Sequence, residues 1–68
     1  MKTKVSLLNE TNIEILMYLS KGFKVNELAE VIGLSKSAIQ KRIAKMQLEF
    51  NVSDTSGLIK VMYELDYF

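Results

Sequence analysis

The sequence predicts a single all-α domain of four helices, and three observations lead there. Apolar residues recur at helical spacing in four separate segments, and no stretch sustains the alternation of a half-buried strand. Proline is absent, so nothing interrupts those segments from within. The breaks between them fall at glycines and at short polar residues that cap or turn a chain.

The first helix is expected near residues 11–21. Ile15, Leu16 and Leu19 share one face, with Tyr18 at its edge. Either Asn9 or Thr11 can cap it; Thr11 with Glu14 three residues on has capping-box spacing. Gly22 ends it, because glycine reaches a left-handed conformation without steric cost. Ile13 and Met17, four apart, read as an apolar pair pointing away from the main face. The second helix is short, near 26–32, with Leu28, Ala29 and Ile32 inward and Gly33 closing it. The third spans about 36–50 with Ser35 as N-cap, and its stripe is Ile39, Ile43, Met46 and Phe50. Asn51 can take the left-handed turn after it. The fourth lies near 54–66, starts at Ser53 or Asp54, and carries Leu58, Val61, Met62 and Leu65. All three glycines read as helix ends or turns.

A chain of 68 residues makes one domain with a small core. It has no Cys and no His, which removes disulfides and ordinary zinc sites. Helix packing, with or without a second subunit, must supply the stability. The balance of 49% hydrophobic and 25% charged residues is that of a globular protein. The opening MKTKVSLLN lacks the apolar core of a signal peptide, and the run Ile15–Leu19 is too short to span a bilayer. The expectation is a soluble cytoplasmic domain with no cofactor and no membrane partner. No nucleophile–base pair is available without His or Cys, and the acids are scattered, so an enzyme is not expected.

Charge is unevenly placed. Between Glu30 and Glu49 lie Lys36, Lys41, Arg42 and Lys45 and no acid, a local +4 in a chain of net charge +1. That asymmetry suits either a polyanion-binding face or a plain solvated one. The connection VIGLSKS favours the first. Ala29 is small enough for the third helix to cross close, Gly33 turns, Leu34 plugs the corner and Ser35 caps. Together they describe a helix-turn-helix whose second helix fits a major groove, an accidental helical hairpin being the alternative. Opposite the buried stripe of the third helix lie Ser37, Lys41, Ala44 and Leu48, flanked by Gln40 and Lys45. Gln40 can pair with adenine and Lys41 can donate to guanine, whereas Lys36 and Lys45 suit phosphate. The candidate DNA-contacting residues are Ser35, Lys36, Ser37, Gln40, Lys41, Arg42 and Lys45.

The stretch LNETNIEILMYLSKGFKVNELAEVIGLSKSAIQKRIAKMQLEFNV resembles the four-helix LuxR/GerE-type domain of bacterial transcription regulators, without a gap from Leu8 to about Leu65. The family's glycine after the first helix is matched by Gly22, and its EIA by Glu27, Leu28 and Ala29. Its IS before the recognition helix is matched by Leu34 and Ser35, and its later V and I by Ile39 and Met46. Its closing KLxV corresponds to Glu49, Phe50, Asn51 and Val52. The chain departs at Asn26, Ala38, Gln40, Arg42 and Thr55, where the family usually has lysine, threonine, lysine, histidine and arginine. Apolar positions thus agree better than DNA-contacting ones.

The resemblance implies a cytoplasmic regulator that binds double-stranded DNA through helix three and forms a homodimer through its C-terminal helix. The dimer interface falls at Ile59, Met62 and Tyr63, the first and last lying off the core stripe; the alternative is that Ile59 joins the core. A sensor or receiver domain would accompany the chain if it is part of a longer regulator. The rival reading is a protein-interaction module that keeps the fold without binding DNA.

Overall fold

A computed structural model describes residues 9–68. The reading of MKTKVSLL as no signal peptide, and the start of the family resemblance at Leu8, lie outside the described residues. Those residues form four helices and no strand, and none of the helices is long and apolar enough to cross a membrane.

Each helix begins where a side chain accepts from the backbone. α1 (Glu10–Ser20) starts after Asn9, whose backbone is extended and whose Oδ1 accepts from the Asn12 N–H at 2.9 Å. Thr11 already lies inside the helix, so the alternative capping box with Glu14 does not form. α2 comprises an α-helical turn, Val25–Leu28, continued by a π-helical turn, Ala29–Gly33. Its Glu27 carboxylate accepts from the Lys24 N–H at 2.8 Å. A lysine head has no acceptor, so only this half of a capping box is possible. α3 (Lys36–Glu49) has Ser35 as cap, its Oγ accepting from the Ala38 N–H at 3.0 Å. α4 (Thr55–Glu64) is capped by Asp54, whose Oδ1 accepts from the Gly57 N–H at 2.8 Å.

The ends of α1, α3 and α4 share one hydrogen-bond pattern, the Schellman motif, in which a left-handed residue lets two N–H groups fold back onto the last turn. Phe23 N–H donates to the Tyr18 carbonyl and Gly22 N–H to that of Leu19; Val52 pairs likewise with Gln47 and Asn51 with Leu48. Tyr67 with Met62 and Asp66 with Tyr63 repeat it. The left-handed positions are Gly22, Asn51 and Asp66. Asp66 is why α4 stops at Glu64 rather than at residue 66.

Two apolar clusters meet along α1 and α3. Ile15, Leu28 and Ile39 form one; Leu16, Met46, Leu58 and Met62 form the other, and all seven are fully buried. Ile15 and Leu16 are adjacent in sequence, so the rotation of about 100° between them sends one side chain to each cluster. Leu19 and Ile43 pack against both. Ala29 and Leu34 pack on the first cluster.

Four expectations change. Ile13 packs against the second cluster, so it does not form an outward pair with Met17, which is exposed. Leu65 is exposed, because it caps α4 beyond the last turn that faces the core. Met62, expected in a dimer interface, is fully buried within its own subunit and has no surface to offer a partner. Gly57 is no turn: it sits in the first turn of α4, where an added Cβ would lie 2.8 Å from the Cβ of Val52. Its role is to let α4 approach Val52, in the link between α3 and α4.

The two glycines should therefore fail differently. Gly33 is left-handed, at φ 85°, with open space around it. Gly33→Val should lose stability through backbone strain alone, about 1–2 kcal/mol. Gly57→Ala gains about 1 kcal/mol of helix propensity, yet should still lower the thermal midpoint, because the backbone-tied Val52 Cβ cannot rotate away. A raised midpoint for Gly57→Ala would show that α4 can shift off Val52.

Candidate nucleic-acid interface

The core decides which side of α3 faces outward. Ile39 and Met46 are fully buried and Ile43 is half-buried, so the opposite arc is presented to solvent. Lys36, Ser37, Gln40, Lys41, Ala44 and Lys45 are all exposed on this helix. Leu48 is 82% exposed among them, an unusual place for a leucine on a helix whose other large apolar residues are covered. Only Leu34 and Ser35 separate α2 from α3. The short link leaves the N-terminal turn of α3 open, with Lys36 and Ser37 on it.

Not every candidate residue stands alike. Lys36, Ser37, Gln40, Lys41 and Lys45 share the exposed side of α3. Ser35 is exposed as well, but its hydroxyl oxygen is engaged in capping the helix. Arg42 lies on the flank, half-buried, and its Nη1 donates to Asn12 Oδ1 at 2.9 Å. Asn12 is only 5% exposed and, among the described residues, is the buried polar side chain. A charge-assisted bond between α1 and α3 is thus built into the packing. An open cleft runs beside it, lined by Asn9, Asn12, Arg42, Lys45 and Met46.

Sequence reasoning missed Asn12. The signal was present: Asn12 falls three and four residues before Ile15 and Leu16, on the same stripe, and a polar residue there needs a partner. Nothing in the spacing said that the partner would be Arg42, thirty residues away.

Comparison with protein-family models, with curated proteins and with solved structures finds no match to this chain.

The basic residues of α3 should separate by their effect on stability. Arg42→Leu removes the donor that Asn12 Oδ1 uses and should cost about 1–3 kcal/mol in urea unfolding. Lys36→Ala, Lys41→Ala and Lys45→Ala should each stay within about 0.5 kcal/mol of the parent, as exposed substitutions do. If Arg42→Leu unfolds at the same urea concentration as Lys41→Ala, the bond to Asn12 is not a support of the fold.

Proposed function

We propose that this chain is a DNA-binding domain of the helix-turn-helix kind, similar to the LuxR/GerE regulators, with α2 and α3 as its two helices and α3 lying in the major groove. The observation that carries this is the outward face of α3: Lys36, Gln40, Lys41 and Lys45 are exposed together, and no acid occurs between Glu30 and Glu49. An α-helix about 10–12 Å across matches a major groove about 12 Å wide. In that placement Gln40 and Lys41 read base edges, Lys36 and Lys45 meet phosphate, and Leu48 offers an apolar contact of the kind a thymine methyl takes.

One observation favours a second reading, in which the same face docks a protein. Leu48 stands bare near the middle of it, and a bare leucine beside an aliphatic Ala44 suits an apolar partner as well as a thymine. Binding to mixed-sequence duplex DNA, followed by fluorescence anisotropy over a range of salt, separates the two. If a dimer neutralises roughly six phosphates, the log–log salt slope should be about −5. A slope near zero, or no binding at low salt, points to the protein-docking reading. Within the DNA reading, Lys36→Ala should weaken all sequences alike, whereas Gln40→Ala and Lys41→Ala should relax preference at particular positions by about 1–3 kcal/mol.

The regulator is proposed to act as a homodimer through α4, using Ile59 and Tyr63 without Met62. Tyr63 is 60% exposed, with its ring edge-on to Phe68 at 5.7 Å between centroids, and Leu65 and Tyr67 are exposed nearby in sequence. Ile59 is half-buried and, among the described residues, is not packed on either core cluster. A small core gives such a chain a motive to bury these side chains against a second copy. Ile59→Lys combined with Tyr63→Lys should give a folded monomer by sedimentation, with much weaker binding to a two-half-site duplex. A parent that is monomeric at high concentration and binds DNA as a monomer has no such interface.

A further inference from the structure

We propose that the cleft between α1 and α3 is a phosphate pocket, in which Arg42 and Lys45 grip one backbone phosphate of a bound duplex and Asn12 holds Arg42 in position. The inference rests on the DNA-binding reading above and adds to it a place for the phosphate and a positioning residue outside α3.

The chemistry of the lining comes first. Among the described residues, two cations and two amides line the cleft together with Met46, and no carboxylate does. Arg42 and Lys45 are three residues apart on α3 and so lie on the same side of it. Like charges at that spacing repel, mildly destabilising the helix unless an anion sits between them. The guanidinium is moreover fixed on one side. Its Nη1 donates to Asn12 Oδ1 at 2.9 Å, and no other described residue accepts from Arg42. The rest of its planar fork remains for a ligand, in the geometry that pairs with phosphate oxygens. Because Asn12 is buried and its own helix is capped by Asn9, the acceptor that fixes Arg42 cannot swing with it. A cation held in place before binding loses less freedom on binding than a free lysine.

The position agrees with a duplex phosphate. Lys45 lies four residues beyond Lys41, hence about 40° further around the helix, and Arg42 lies beyond it again. The cleft is therefore the flank of the same surface whose centre carries Lys41 and Leu48. A helix that nearly fills the major groove brings its flanks to the phosphate walls. Base contacts from the centre and a phosphate grip from the flank are compatible in one pose.

The test is binding to a duplex in which single phosphates are replaced, one at a time, by uncharged methylphosphonate. The parent should show one position per half-site where the replacement weakens binding about tenfold, the loss of one hydrogen-bonded contact to a charged group. Arg42→Gln removes the charge and leaves a shorter, neutral amide in its place. It should bind the unmodified duplex about tenfold more weakly and be indifferent to replacement at that position. Lys45→Gln should show the same indifference in part. Asn12→Ala should weaken DNA binding in the parent but add nothing in the Arg42→Gln background, which a purely structural role for Asn12 would not produce. Melting curves fix a temperature at which each variant is folded; if Asn12→Ala does not fold, the Arg42→Gln and Lys45→Gln arms decide. Should the parent bind DNA while Arg42→Gln binds equally well and keeps its sensitivity at every phosphate, the pocket is overturned and the DNA reading stands. A parent that binds no duplex overturns both.

Discussion

Ile39, Ile43 and Met46, turned inward along one side of α3, set the orientation of every other helix. Ile39 belongs to the cluster that α1 and α2 close, Met46 to the one that α1 and α4 close, and Ile43 touches both. One ridge therefore orients three other helices. A rotation of α3 about its axis would expose part of that ridge and break both clusters together, and burying a Leu-sized side chain contributes about 1.5–3 kcal/mol. The outward face of α3 is the complement of this ridge, so its composition is free to serve a partner without affecting the core.

Local chemistry then frames that ridge. Asn9, Ser35 and Asp54 each accept from the N–H three residues on, and Gly22, Asn51 and Asp66 each turn the chain left-handed to close a helix. These devices stop each helix at a definite residue, which in a chain this short matters more than in a large domain, since one extra turn would carry a connecting residue out of the core. Gly57 is of another kind. It marks a place where two segments approach too closely for a side chain, and Val52 is what stands there.

The bond between Asn12 and Arg42 joins fold and proposed function. It places a cation at the edge of the outward face by anchoring it to the interior of α1, so the support of the domain and the electrostatics of its surface share one pair of residues. Burial of a polar group on an otherwise apolar stripe is tolerated because it is satisfied. In the proposed DNA complex the same bond gives α1 a part in phosphate recognition, although α1 itself stays outside the groove.

Sequence alone determined the four helices, the Ser35 cap and the ridge of α3, and narrowed the caps of α1 and α4 to two residues each, because these follow from periodicity and from the conformational preferences of single residues. The left-handed turns at Gly22 and Asn51 and the exposed arc of Lys36, Ser37, Gln40, Lys41 and Lys45 were legible for the same reason. Tertiary structure decided what depends on residues far apart in the chain. Asn12 met Arg42, Ile13 turned to the core, Met62 was withdrawn from the surface, and Gly57 was required by Val52. Helical spacing says which residues share a face, but a face nearly as apolar as its neighbour is assigned to core or solvent only by what packs against it. Two adjacent clusters in so small a domain leave such assignments to the crossing of the helices, and that crossing is written in no single segment.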